Sequence, residues 1–504
     1  MIAKINSYTL VGLNGLPVRV EVDVNNGLPA FDIVGLADVS VKESKERVRS
    51  AIKNSGRVVP AKKITANFAP AFIRKSGSAF DLALAVGVLV ATGQLVSDKL
   101  DAVILGELSL DGSVVKAVGV MPIIISAMAE GFNKFIIPKE NALEASFVKG
   151  AEIYTVQTLS ETIDVLSGLK DGERVSSSAY DVKKANASYE NDMAFVKGQA
   201  VAKRALEIAV SGGHNILFVG APGTGKTMLA KCIPSIMPDM TFTEALETTK
   251  IHSVAGILND KDGIVYKRPF RSPHHTATTV ALTGGGSTLR PGEISLAHNG
   301  VLFLDEMPEY SRATIESLRQ PMEDGVITVA RASGSVKYPA NFILCGSMNP
   351  CPCGNFGSKT KECTCTPSQI AKYKAKISGP LLDRIDIKID VDEVKYSELT
   401  DKAYGESSAE IRKRVNRTRA IESERFKNDG ISTNADMKEK HLEKYCRLSE
   451  DCEKTLKAAY ENLHLSPRAR SRIIKVARTI ADMELYDDIQ VKHILEAISY
   501  RNQL

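Results

Sequence analysis

"ILFVGAPGTGKTMLAK", residues 216–231, decides how this chain is read. Ile216–Val219 have the length and composition of a buried strand. The run Gly220, Ala221, Pro222, Gly223, Thr224, Gly225, Lys226 and Thr227 then matches the phosphate-loop order G-x-x-x-x-G-K-[ST]. Its glycines let backbone N–H groups face an anion with no Cβ in the way. Lys226 would reach the β- and γ-phosphates of a nucleotide, and the Thr227 hydroxyl would hold Mg²⁺. "KTMLAKCIPSIM" follows as a helix whose positive end points at the same anion. A glycine-rich turn between strand and helix would produce part of this pattern, but a second motif agrees with the first.

That motif is "GVLFLDEMPEY", residues 300–310. Four apolar residues end in Asp305 and Glu306, and ligands of parallel sheets bind at such strand ends. Asp305 is expected to hold Mg²⁺, and Glu306 to orient and polarise the attacking water. Hydrolysis needs both charge neutralisation and a positioned nucleophile.

Outward from these motifs, the chain of 504 residues exceeds one hydrophobic core, so about two to four domains are expected. Its 43% apolar and 25% charged residues are ordinary for a globular protein, and the net charge of +5 permits an acidic partner without demanding one. The N-terminus lacks a secretory pattern, and the most apolar run, "FDLALAVGVLVATG", is too short to span a bilayer and reads as a buried helix. These features point to the cytoplasm, where eight cysteines are reduced and a cluster suggests metal before disulfide.

Four regions differ in texture. Residues 1–168 alternate strand-like runs such as "VRVEVDV" with helical patterns, as in an α+β domain. Residues 169–191 read as a polar linker. Residues 192–395 mix buried strands with helices, the pattern of a mainly parallel α/β sheet. Residues 396–504 read as a helical subdomain.

The order of phosphate loop, "FLDE", "GSMNP" and "SGPLLDRIDI" resembles an AAA+ ATPase core. With "RSPHHTATTVALTGGG" and "PGEISLAHNGVLFLDE", the chain resembles the magnesium-chelatase-like group and its bacterial YifB/ComM subfamily over nearly its whole length. That resemblance implies ATP as the nucleotide. It also implies Asn349 as a sensor of the γ-phosphate or water, and Arg384 as an arginine finger reaching a neighbouring subunit. It implies Arg468 as a second sensor on a helical lid, with Arg470 close enough to compete for that role. A finger in trans requires an oligomer, and the family implies a hexamer.

Residues 1–168 are similar to the ribosomal-S5-like domain of Lon and RadA. "GSAFDLALAVG" places Ala79 where Lon has its nucleophilic Ser, and Pro122 falls where its Lys would be. Ser76 and Ser78 lie nearby, but a Ser needs a base within about 3 Å, so the domain is expected to be non-proteolytic, with DNA binding or ring assembly as its alternatives.

"NPCPCGNFGSKTKECTCTPSQ" carries Cys351, Cys353, Cys363 and Cys365. Four thiolates can enclose Zn²⁺ at about 2.3 Å each, although C-x-C is not the commoner spacing and reduced, unligated thiols remain open. "GVITVARASGSVKYPANF" reads as a hairpin with Arg331 and Lys337 on its flanks, and its likeness to the pore hairpin of related helicases implies that these basic groups would pair with DNA phosphates. The stretch with His274 and His275 resembles the helix-2 insert, which the resemblance implies is a second pore loop. The resemblance favours a helicase that promotes branch migration in natural transformation. Remodelling of a partner protein and chelatase-type metal insertion are the alternatives. The S5-like domain is expected to set this chain apart from the chelatase subunit.

Overall fold

Val18, Val20 and Val22 recur with a period of two and are all buried in the strand Asn14–Asn25. This computed structural model describes residues 2–75, 77–97, 99–182, 189–259, 261–286, 289–331, 334–358, 361–394, 398, 405–463 and 465–501. Ser76 and the Arg331 side chain lie outside the described residues, as do most of the positions around the 395/396 boundary and residues 183–188 of the predicted linker.

The N-terminal region is a mixed sheet of eight strands. From one edge these are Glu173–Arg174, Glu152–Val156, Lys134–Pro138, Val103–Ile104, Ile2–Val11, Asn14–Asn25, Lys63–Ala69 and Ala30–Val34. Its longest pairing is the antiparallel hairpin Ile2–Val11/Asn14–Asn25. The apolar run expected to be a buried helix is one, Asp81–Ala91. Its Asp81 is buried because Arg47 meets it with two guanidinium N–H groups, at 2.6 and 3.1 Å. Burial still raises the Asp81 carboxyl above its ordinary pKa. Glu173–Arg174, inside the stretch read as a linker, pairs antiparallel with Thr155 and Tyr154 at the sheet edge.

Five parallel strands form the central sheet, in the order Phe270–Arg271, Val301–Leu304, Ile343–Met348, Ile216–Val219, Ile387–Asp390. Numbered along the chain, they run 2-3-4-1-5 across the sheet. The phosphate-loop strand thus lies inside the sheet, where order reverses and ligands bind. Between strands four and five in the chain lie the Cys-rich segment and the helix Pro367–Lys374.

Beyond the core come the helices Ser408–Arg425, Glu439–Tyr445, Glu450–Asn462, Pro467–Met483 and Val491–Ser499. One apolar cluster joins Ile473, Val476 and Ile480 of this helical region to Leu229, Ile233 and Phe218 around the phosphate loop. A second cluster joins Tyr8, Ile123 and Phe135 of the N-terminal region to Met240, Ala245 and Ile264 of the core. Tyr180 stacks on Tyr266 with centroids 5.4 Å apart, and its hydroxyl donates to the Met240 carbonyl at 3.0 Å. All three regions therefore share packed apolar surface, and movement of one against another must disturb it.

The predicted hairpin forms: Val326–Arg331 pairs antiparallel with Gly334–Pro339. Ile327, Val329, Val336 and Tyr338 turn inward, while Thr328 and Lys337 are exposed. The N-terminal turn at Gly12 seats against Val336, and no Cβ could be placed at Gly12 without meeting it.

Candidate nucleotide site

The strand Ile216–Val219 is buried throughout and delivers Gly220 at its carboxyl end. Gly223 and Gly225 adopt left-handed backbone, φ +83° and +92°, which L side chains disfavour. The helix Lys226–Ile236 begins directly after them, and its first-turn N–H groups have no partner within the helix. Lys226 is buried; its Nζ donates to the carbonyls of Gly220 at 2.7 Å and Ala221 at 2.8 Å, and lies 3.4 Å from Asn349 Oδ1. Burial pushes the Lys226 ammonium below its ordinary pKa, against the pull of Asp305 and Glu306. Thr224 is held by its own hydroxyl, which donates to the Ala221 carbonyl at 3.0 Å.

The strand Val301–Leu304 is equally buried and ends at the two acids. Thr227 Oγ1 donates to Asp305 Oδ2 at 2.9 Å. A hydroxyl and a carboxylate so placed are the hard oxygen donors that Mg²⁺ takes, so this pair fits that ion. Ser347 donates its hydroxyl to the other Asp305 oxygen and accepts the Glu306 amide at 3.2 Å. Glu306 has φ +49°, left-handed backbone on a non-glycine residue. His275 Nδ1 stands 3.9 Å from Glu306 Oε2. Tyr310 donates its hydroxyl to the Pro273 carbonyl at 2.5 Å and so ties the histidine loop to the acid loop.

The structure thus gathers Lys226, Thr227, Asp305, Glu306 and Asn349 at the carboxyl end of the sheet, and sends the arginines elsewhere. Arg384 precedes the strand Ile387–Asp390, and its carbonyl accepts from Asn215 Nδ2 at 3.2 Å, at the amino end of the phosphate-loop strand. One strand of four residues, about 13 Å by its rise, separates that end from the loop. The Arg384 guanidinium pairs with Glu323 and donates to the Pro380 carbonyl at 2.8 Å. That pairing comes first among the causes that hold the Glu323 carboxyl below its ordinary range; charge on Arg468 and Arg472 adds to it. Arg468 adds its charge from a distance, and Arg384 is the arginine that touches the acid. Arg470 turns away, to Glu453 at 3.0 Å.

The four cysteines converge. Cys351 Sγ lies 3.4 Å from Cys353 Sγ and 3.7 Å from Cys363 Sγ, which is itself 3.7 Å from Cys353 Sγ. With Cys365, all four sulfurs lie within 4.8 Å of one another. A tetrahedron with about 2.3 Å metal–sulfur bonds has edges of about 3.8 Å, so the cluster fits Zn²⁺. The Phe356 amide donates to the Cys351 sulfur at 3.3 Å. Amides of Asn355 and Thr364 pull the Cys353 thiol down to about 5.

Sequence reasoning missed Ser347, Glu323 and the meeting of His275 with Glu306. Ser347 was findable, because the strand period of two puts it on the same side as Asn349. Glu323 carried no signal, since its partner is 61 residues away. In the N-terminal region, Ser78 donates to the Glu107 carboxylate, Pro122 is buried in the helix Val120–Ala129, and Ala79 packs against the apolar cluster there.

Comparison with known proteins agrees with this geometry. The profile "Magnesium chelatase, subunit ChlI" matches residues 192–399, "Subunit ChlI of Mg-chelatase" residues 20–141, and "Magnesium chelatase, subunit ChlI C-terminal" residues 405–501. The chain is 41% identical over 502 residues to the uncharacterized protein YifB of Salmonella typhimurium, covering 99% of this chain and 97% of that one. It is 41% identical over 508 residues, with the same coverage, to the competence protein ComM of Haemophilus influenzae. The chain belongs to the magnesium-chelatase-like YifB/ComM family. Membership makes it an AAA+ ATPase. A more distant relative is the zygotic DNA replication licensing factor mcm6-A of Xenopus laevis, 21% identical over 382 residues, 70% of this chain and 42% of that one. One expectation is corrected: residues 20–141 match a profile that also carries the chelatase name, so the N-terminal region does not by itself separate this chain from the chelatase subunit. No helix among the described residues is long and apolar enough to cross a membrane.

Proposed function

We propose that this chain is one subunit of a cytoplasmic hexameric ring that hydrolyses ATP to move on DNA, promoting branch migration during recombination. The observation that carries this reading is the placement of Arg384, paired with Glu323 at the far end of the sheet from its own phosphate loop. An arginine there serves a triphosphate only if that triphosphate belongs to the next copy.

In this reading the loop Gly220–Thr227 wraps the phosphates, and Lys226 leaves its two carbonyl partners for the β- and γ-oxygens. Thr227 and Asp305 would hold Mg²⁺, which would supply charge neutralisation for the phosphoryl group. Glu306 orients the water, and Asn349, already beside Lys226, senses the γ-phosphate. Arg384 is the finger, acting on the neighbour, and Arg468, on the helical region, is the second sensor of the γ-phosphate. The helical region moves as a lid over the nucleotide, the N-terminal region is a non-proteolytic Lon-like domain, and the four cysteines hold a structural zinc. Lys337, exposed on the outer face of the hairpin, contacts DNA phosphates with Arg331. The names of two relatives, a competence protein and a DNA replication licensing factor, support nucleic acid as the partner. Chelation is the second reading, favoured by the family profiles and by a partial match to a magnesium-chelatase subunit.

The test is unwinding of forked and three-stranded DNA with ATP, beside ATPase assays across salt. DNA should stimulate turnover, and the stimulation should weaken as salt rises because phosphate contacts release counterions. ATPase activity indifferent to every DNA structure would turn the proposal toward a protein or metal-insertion substrate.

A further inference from the structure

The cysteine segment begins two residues after Asn349, so whatever fixes the segment also bears on that side chain. Asn349 Oδ1 lies 3.4 Å from Lys226 Nζ. Three residues past Cys351, the segment meets the phosphate loop a second time. A Cβ at Gly354 would fall 2.6 Å from Pro222 Cδ and 2.9 Å from its Cγ, so the Gly354 backbone sits directly on the Pro222 ring. Gly354 has φ +81°, and its amide donates to the Cys351 carbonyl at 3.0 Å, which turns the chain back toward the cluster. The chain from Asn349 to Gly354 therefore meets the loop twice, at Lys226 and at Pro222.

Among its described residues, Cys351 and Gly354 are buried, the Ser358 hydroxyl donates to the Glu393 carboxylate at 3.2 Å, and the Lys374 ammonium lies over the ring of Phe356, itself 49% exposed. Polar and charged residues fill much of the remainder, so four converging sulfurs joined by a metal would fix it more firmly than packing does. Pro222 adds stiffness, because its ring fixes its own φ. A rigid segment pressed against a rigid proline narrows the shapes open to Gly220–Gly225.

We propose that the cysteine cluster, once metal-loaded, is a strut that presets the phosphate loop, so that nucleotide affinity depends on metal occupancy. This rests on the reading that the four thiols hold zinc. The metal at the cluster is not a participant in hydrolysis, since four protein ligands leave it no open position. Gly354 and Pro222 are positioning residues. Linkage makes the effect reciprocal: whatever factor metal adds to nucleotide affinity, nucleotide adds to metal affinity.

The experiment uses the full chain. Metal content is measured on protein purified without added zinc, and Co²⁺ replaces the metal to report tetrahedral thiolate ligation by its absorption. Affinity for a fluorescent ATP analogue is then titrated before and after chelation, with helical content followed by circular dichroism. Metal removal should weaken nucleotide binding about tenfold, within the usual range of coupling between sites. Pro222→Ala should keep the metal yet lose the dependence, binding nucleotide equally with and without it. Should chelation unfold the protein, metal affinity measured with and without nucleotide gives the same factor in reverse. Metal bound by four thiolates with nucleotide affinity unchanged on its removal overturns the strut and leaves the zinc reading standing. No metal and no cobalt–thiolate absorption overturns both.

Discussion

In the proposed reading, the two ends of the five-stranded sheet hold different halves of one chemistry. At the carboxyl end, groups from three strands touch one another: Lys226 approaches Asn349, Thr227 bonds to Asp305, and Ser347 braces both acids. At the amino end Arg384 meets a carboxylate of its own chain, Glu323, which no phosphate chemistry requires. The first end is built to receive a ligand, while the second holds a cation in reserve. The contrast argues that a competent site is assembled from the carboxyl end of one copy and the amino end of another.

Arg384→Ala breaks the comparison most severely. Removing a finger acting in trans is expected to cost about 10³–10⁵ in turnover, with ATP binding retained in a fluorescence titration. Loss of binding in that variant would place Arg384 in the wrong half. Glu306→Gln comes next, with a fall of about 10²–10⁴ expected for a lost proton-handling group and near-normal nucleotide affinity. Near-normal turnover would remove Glu306 from its role.

Glu323→Gln sharpens the comparison. The acid is largely exposed, so its hold on Arg384 is modest, and freeing the arginine should raise basal ATPase about two- to fivefold. Unchanged activity would mean that the pairing does not restrain the finger.

The smallest effect lies in the helical region. Burial pushes the Glu422 carboxyl up to about 8, against the pull of Arg419 and with Asp482 adding to the rise. A carboxyl raised in the fold binds more protons there than in the unfolded chain. Its contribution to stability is therefore complete below the unfolded value of about 4.3 and is lost as pH rises through about 8. Glu422→Gln should show a smaller drop in melting temperature between pH 6 and pH 9 than the parent. Parallel curves would contradict the assignment.

The phosphate loop and the two acids were legible because their chemistry demands fixed residue types within a few positions of each other. The hairpin Val326–Pro339 was legible because its inward residues alternate. Glu323 was not, because an ion pair across 61 residues leaves no local pattern. Glu173–Arg174 looked like linker because a two-residue, exposed edge strand has neither length nor alternation to announce it. The seat of Gly354 on Pro222 was hidden for a similar reason: both residues read as turn formers, and only the fold brings their turns together. The meeting of His275 with Glu306 was hidden as well, since the Tyr310–Pro273 bond that ties their loops joins residues far apart in sequence.

The shared site is tested most directly by mixing two inactive variants, Lys226→Ala and Arg384→Ala, and measuring ATPase against their ratio. In a mixed ring, Lys226→Ala subunits lend a finger to intact loops on Arg384→Ala subunits, so activity should appear in the mixture and peak at intermediate ratios. A mixture that stays inactive at every ratio although the two variants co-assemble, or an Arg384→Ala protein that turns over at full rate alone, would contradict the account.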